Sequence, residues 1–206
     1  MCSFKLQAQN YSVGLKTGLN TSINYRSAEI VSSENRFTTD PKMGYLGGVF
    51  LKMEYNRFLI RPEIFYTHLE GKFPFPELSS LYIIDKVSIP LLIGYKLSPP
   101  WELYAGPAYQ YFLATKLQHI SPGPENLQKN WAGQIGITYS FQRIELDLRY
   151  EYTFDSTKNQ IIKIPGVMNN AYFDDGRLNQ IMFSLNFKLW DSENPWNWRR
   201  RRSCYF

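Results

Sequence analysis

From Tyr11 onward, apolar and polar residues alternate with a period of two in eight separate segments, and that period puts one class on each face of a β-strand. Between 11 and 23, Tyr11, Val13, Leu15, Leu19 and Ile23 share a parity with Thr17 and Thr21, against Ser12, Gly14, Lys16, Gly18, Asn20 and Ser22. The split returns at about 45–55 (Tyr45, Val49, Leu51, Met53, Tyr55 against Gly48, Lys52, Glu54) and at 58–67 (Phe58, Ile60, Ile64, Tyr66 against Arg61, Glu63, Thr67). Three more segments follow. Val87, Ile89, Leu91, Ile93 and Tyr95 oppose Lys86, Ser88, Gly94 and Lys96, and Leu103, Ala105, Tyr109, Tyr111 and Leu113 oppose Glu102, Gly106, Ala108 and Gln110. Trp131, Ile135, Ile137, Tyr139 and Phe141 oppose Gln134, Gly136, Thr138 and Ser140. The seventh is the sharpest, Ile144, Leu146, Leu148, Tyr150, Tyr152 and Phe154 against Glu145, Asp147, Arg149, Glu151 and Thr153, and Ile181 to Leu189 closes the series.

The connections alternate as well. Short gaps fall near 56–57, 98–100 and 142–143, and long ones near 25–42, 70–80, 118–129 and 156–177. A barrel crossing an outer membrane keeps short periplasmic turns and longer outside loops. The expectation is therefore an all-β fold, an eight-stranded antiparallel up-and-down transmembrane β-barrel, with both termini in the periplasm and four loops outside.

Charge separates the two faces. The apolar parity of all eight segments contains no Asp, Glu, Lys or Arg, as lipid exposure demands, since a midplane charge costs about 2–4 kcal/mol. The opposite parity carries Lys16, Lys52, Arg61, Lys86, Lys96, Arg149 and Lys188 with Glu54, Glu63, Glu102, Glu145, Asp147 and Glu151, nearly in balance. Eight strands leave an interior that side chains fill, and buried charges persist when paired. This set is expected to form a structural ion-pair network in the lumen. Two aromatic girdles are expected, Tyr55, Phe58, Tyr95, Trp101, Phe141 and Trp190 near the short turns, and Tyr66, Tyr111, Trp131, Tyr152 and Phe154 near the long loops. Pro62, Pro90 and Pro107 lie inside strand segments, where bulges or strand ends are expected.

Length and composition limit the alternatives. At 206 residues with 44% hydrophobic and 17% aromatic residues, the chain suits one domain rather than two or a disordered polymer. It contains no apolar run of the length a helical span needs. Cys2 and Cys204 make neither a disulfide framework nor a metal-ligand pair, and Cys2 lacks the preceding apolar run of a lipid anchor. Three regions are expected: residues 1–9 as the remnant of a signal peptide or an arm, 10–190 as the barrel, and 191–206 as a periplasmic tail. In that tail Trp196, Trp198, Arg199, Arg200, Arg201 and Arg202 mix aromatics with four successive positive charges, candidates for contact with anionic headgroups or an acidic partner.

Four stretches carry a family resemblance: Gly14-Leu15-Lys16-Thr17-Gly18, Val87-Ser88-Ile89-Pro90-Leu91-Leu92-Ile93-Gly94-Tyr95, Tyr104-Ala105-Gly106-Pro107, and the closing Phe187-Lys188-Leu189-Trp190. The chain resembles the eight-stranded outer-membrane β-barrel proteins of Bacteroidota often labelled PorT-like. The resemblance implies a Gram-negative outer-membrane location and assembly by the barrel-insertion machinery. Some members of that family are accessory parts of type IX secretion and gliding. The tail departs from the family, whose closing strand usually ends the chain or nearly so.

Catalytic chemistry is hard to assemble from this sequence. His68 and His119 are its two histidines, and HExxH, GxSxG, Gly-rich phosphate loops and metal-ligand spacings are absent. Rim histidines could serve a barrel enzyme acting on lipid A. Asp174, Asp175 and Glu125 lack a calcium-site cadence. The sequence predicts no enzyme, cofactor, metal or nucleic-acid partner. It predicts a monomeric barrel in outer-membrane lipid, in contact with envelope or secretion proteins. The alternative is a soluble lipocalin-like barrel whose apolar parity faces a hydrophobic ligand.

Overall fold

A computed structural model describes residues 10–23, 28–31, 36–74, 79–118, 130–155, 160–162, 171–175 and 177–192. Eight strands form the barrel: β1 (Asn10–Ser22), β2 (Met43–Tyr55), β3 (Phe58–Pro74), β4 (Ser79–Ser98), β5 (Trp101–Leu117), β6 (Trp131–Phe141), β7 (Ile144–Thr153) and β8 (Gln180–Asp191). Each pairs antiparallel with its neighbour in sequence, and β8 returns to β1 with Leu15 opposite Phe187, so the ring is closed. Closure satisfies the backbone of every wall strand, the condition for crossing hydrocarbon.

The period-two pattern sets the faces. Leu15, Leu148 and Phe183 point outward, 49%, 49% and 54% exposed, while Lys16, Arg149 and Ser184 beside them are buried. A soluble carrier with an apolar cavity needs the reverse. That alternative is excluded, because burying the charged parity leaves an apolar belt around the outside. Two of the short turns use a first residue in the left-handed region, Asn56 (φ 54°) and Gln142 (φ 49°). Close packing inside needs at least one bare backbone: a Cβ on Gly14 would sit 2.6 Å from the Phe50 ring and 2.2 Å from the Phe187 carbonyl oxygen.

The wall is not of even height. β6, β7 and β8 have 11, 10 and 12 residues, about what a tilted span requires, whereas β3, β4 and β5 have 17, 20 and 17. The long gap expected at 70–80 is thereby corrected: β3 runs to Pro74 and β4 begins at Ser79. Above the aromatic girdle the face pattern of β3 changes sign. Leu69 and Phe73 point inward and are fully buried, while His68, Glu70 and Lys72 take the outward parity. The first outward charges mark the top of the apolar belt, so residues 68–74, 79–86 and 112–117 stand beyond the membrane-spanning stretches.

A second small sheet packs against this tall side. Its strands Gln160–Ile162, Ala171–Asp175, Glu29–Val31 and Arg36–Thr38 come from the connections flanking β1 and β8. Ala28, Ile30 and Leu178 are buried with Leu69, Phe73, Tyr82, Ile84 and Leu117, and Phe37 and Phe112 pack on the cluster. The long-loop end of the lumen thus has an apolar lid, held by hydrophobic burial and by the short strand Asp40–Pro41, which pairs with Gly71 and Lys72 of β3.

The prolines behave differently from the expectation of bulges or strand ends. β3, β4 and β5 run straight through Pro62, Pro90 and Pro107, and the register shifts lie elsewhere, at Val13/Gly14, Asp85/Lys86 and Lys96/Ser98. The β3–β4 pairing instead lapses between Pro62–Leu91 and Phe65–Ser88, with the register unchanged across the gap. A proline withdraws one donor, and neighbours on both sides of each strand keep the wall continuous.

Candidate functional site

Eleven of the thirteen charged residues assigned to the lumen join in one chain of ion pairs, and Lys86 with Glu151 forms a separate pair. Arg149 Nη1 and Nη2 donate to the Glu63 carboxylate at 2.8 and 2.9 Å, and Nη2 also donates to Asp147 at 2.9 Å. Lys16 shares the same acids, 2.6 Å from Asp147 and 3.3 Å from Glu63. Arg61 joins Glu63 at 2.6 Å to Glu145 at 2.7 Å. Lys52 then links Glu145 at 2.9 Å, Glu102 at 2.6 Å and Glu54 at 3.2 Å. Nearer the long-loop end Lys86 holds Glu151 at 2.6 Å, and toward the short-turn end Lys188 lies 3.4 Å from Glu145. Lys96 pairs with Glu54 at the short-turn mouth.

These contacts come from seven of the eight strands and bind the ring across its own interior. β1 brings Lys16, β3 Arg61 and Glu63, and β7 brings Glu145, Asp147, Arg149 and Glu151, each at alternate positions of one strand. Charge-assisted bonds of this length are the strong kind, and a low-dielectric interior raises both their strength and the cost of losing a partner. Hydrogen-bonding neighbours extend the network: Gln134 and Gln180 donate to Glu151 at 2.5 and 2.7 Å, and Ser184 donates to Asp147 at 3.1 Å.

Tyr104 is the hub that the sequence reading did not single out. Its hydroxyl donates to Asp147 and accepts from Thr138 at 3.2 Å and from Arg149 at 3.3 Å, and its ring lies 5.0 Å from the Arg149 guanidinium. Its parity, shared with Glu102 and Gly106, was the signal that could have found it. Phe50 stacks under Arg61 at 4.3 Å, and Leu46, Phe65 and Met182 form an apolar plug across the lumen. The interior is therefore mixed, paired charge interleaved with aromatic and aliphatic groups.

His68 sits on the outward face above the girdle rather than in the lumen. Nδ1 lies 2.6 Å from Asp85 and Nε2 2.9 Å from Glu70, while Tyr66 donates to Asp85 at 2.7 Å and Tyr45 stacks on the ring at 4.9 Å. Burial alone would depress the imidazole, but the bonds to Glu70 and Asp85 outweigh it and hold its pKa above the usual histidine value. With both nitrogens engaged, neither is available as a general base. His119 and Glu125 lie outside the described residues, as do residues 1–9 and the tail candidates Trp196, Trp198, Arg199, Arg200, Arg201 and Arg202. Asp174 and Asp175 fall on the small sheet, and no group of three or more metal-ligating side chains occurs among the described residues.

The girdle residues take outward positions at the two ends of the belt. Phe58 and Tyr95, Trp101 and Tyr139, and Tyr109 and Trp131 meet edge-on across neighbouring strands at 5.4, 5.0 and 5.4 Å. At the short-turn mouth a pocket of about 280 Å³ opens between Glu54, Lys96, Glu102, Ser140 and Lys188, with Pro99, Pro100 and Trp101 at its lip.

OprG from Pseudomonas aeruginosa is similar to this chain in fold, with a TM-score of 0.56 and 17% identity over 88% of this chain and 96% of that one. Neisserial surface protein A superposes with a TM-score of 0.44 at 12% identity, over 86% and 98% of the two chains. Ail of Yersinia pestis, solved with the heparin analogue sucrose octasulfate, gives 0.42 at 11%, over 87% and 98%. No curated protein sequence matches the chain. The family model for the outer membrane protein beta-barrel domain matches residues 7–159. The closed ring, the uncharged outer belt and this match together make the chain a member of the outer membrane protein beta-barrel domain family, an eight-stranded barrel of the outer membrane.

Proposed function

We propose that this barrel is a monomeric, non-enzymatic envelope protein whose task is contact with other envelope proteins rather than passage or catalysis. The observation that carries the reading is the interior: paired charges occupy the lower lumen, and an apolar lid covers the upper end. A lumen of paired charges, with no open catalytic base among the described residues, leaves the ends as working surfaces. Both termini face the periplasm, and the lid side faces outward, the polarity that short turns and long loops favour. The finer version, from the family resemblance, is an accessory role in Bacteroidota type IX secretion, with the basic tail as a periplasmic contact.

A closed barrel resists detergent until boiled, so the protein from a separated outer-membrane fraction should shift in gel mobility on heating. Protease added to intact cells should cut at the lid side and leave the tail whole. Absence of the shift, or cleavage of the tail alone, overturns the reading. Deletion of the gene should impair export by type IX secretion, and normal export removes that version while leaving the contact role.

A further inference from the structure

Among the lumen lysines, Lys188 is the one whose charge is poorly met. Lys16, Lys52 and Lys86 each have a carboxylate oxygen at 2.6 Å. Lys188 is only 8% exposed, yet its ammonium reaches the Ser140 hydroxyl at 3.4 Å, Glu145 at 3.4 Å and Asp191 at 3.9 Å, with no shorter contact among the described residues. Glu145 already accepts 2.7 and 2.9 Å bonds from Arg61 and Lys52, which hold it away. An ammonium carries three donors, and burying it without close acceptors is costly. The missing acceptor has a place to sit, because Lys188 lines the 280 Å³ pocket at the short-turn mouth.

The other lining groups define what fits. Glu102 is bound by Lys52 at 2.6 and 2.7 Å, and Glu54 is shared between Lys52 and Lys96, so both acids are neutralised at hand. A second negative charge would still feel them, which disfavours a doubly charged phosphate. A single negative charge is what the ammonium can still take at close range, because Asp191 stands 3.9 Å away. The Ser140 hydroxyl, whose own bond to Glu145 is long at 3.4 Å, adds a donor beside the ammonium.

We propose that the short-turn mouth is a carboxylate-binding site, with Lys188 as its charge partner, Ser140 as its second donor and the Pro99–Trp101 turn as its lip. The carboxylate belongs either to a small free acid or to the end of a peptide entering the mouth. This site lies beyond the contact role proposed above and stands on the geometry of the mouth alone.

Calorimetric titration of the intact barrel in detergent micelles tests it, with acetate, N-acetyl-trialanine and N-acetyl-trialanine amide as probes. The peptide acid should bind, and its amide should bind at least about tenfold more weakly. Acetate that binds as well as the peptide assigns the site to small acids, and acetate that does not assigns it to peptide ends. Lys188→Gln should lose binding at least about tenfold, Lys188→Arg should retain it, and Ser140→Ala should weaken it a few-fold. Each variant is first shown to be closed by its heat-dependent mobility. If Lys188→Gln does not close, the Ser140→Ala and acid-against-amide comparisons decide. Equal binding of acid and amide, or no binding of either carboxylate to a barrel that shifts normally, overturns the site while leaving the membrane barrel intact.

Discussion

Arg149 concentrates the residue-scale logic. It is 1% exposed and is held by Glu63, Asp147, Gln134 and Tyr104 at once. Removing it leaves two buried carboxylates with less than their share of positive charge, and breaking a buried pair typically costs about 3–5 kcal/mol. Arg149→Ala should therefore lower stability by about that amount in urea titration of the barrel in lipid vesicles, and a loss below about 1 kcal/mol would show that Lys16 and Arg61 can neutralise the acids alone. His68 poses a different question, since it joins β2, β3 and β4 above the membrane through Tyr45, Glu70 and Asp85, with Lys116 acting on Asp85. Its pKa is raised by folding, so the charged imidazole stabilises the wall fully below the unfolded value, about 6.5, and that stability is lost as pH rises through the folded value. The stability gap between the parent and His68→Gln should be widest near pH 5 and shrink on the alkaline side. A gap that grows with pH would mean that the neutral ring is the one the site prefers.

At the scale of elements, β3 shows both what the pattern can reveal and where it stops. Within the membrane the rule is apolar out and polar in, and the outward Phe58, Ile60, Ile64 and Tyr66 with the inward Arg61 and Glu63 obey it, so the span was readable although Leu59 and Phe65 also point inward. Beyond Tyr66 the solvent outside changes from lipid to water while the lid supplies an apolar interior, and the rule reverses at Leu69, Glu70, Lys72 and Phe73. Alternation persists, but a reading keyed to one sign of it sees a loop at 70–80. The lid strands were hidden for another reason: three residues, as in Glu29–Val31 and Arg36–Thr38, are too few to show a period, and the pairing of Glu29–Val31 with Ala171–Asp175 joins segments far apart in sequence. The charged lumen positions, by contrast, were legible because lipid enforces their parity, although Tyr104 and Phe50 were not, being aromatic on the polar side. Ile30 links lid to wall with no exposure at all. Ile30→Asp should release the lid and sensitise the 28–38 region to protease, while heat-dependent mobility stays normal because the ladder does not depend on the lid. Loss of the mobility shift in that variant would make the lid part of barrel assembly.

For the whole molecule, closure is the decisive interaction, because an open strand edge in hydrocarbon leaves a row of donors and acceptors with no water to take them, each costing several kcal/mol. The seam is β1 against β8, with Ser12 opposite Asp191, Val13 opposite Trp190 and Leu15 opposite Phe187. It extends one residue past β8, where Ser192 N–H donates to the Tyr11 carbonyl at 3.0 Å and the Tyr11 N–H donates to the Ser192 hydroxyl at 2.9 Å. The ring therefore needs the chain as far as Ser192, whatever lies beyond it. A protein ending at Ser192 should fold into vesicles and keep the heat-dependent mobility shift of the full chain. One ending at Asn186 gives up the short-turn half of the seam together with Lys188, exposes β1 from Ser12 to Leu15, and should give no shifted band. If the first truncation also fails to close, residues 193–206 take part in assembly, and the tail is a folding element rather than a contact surface.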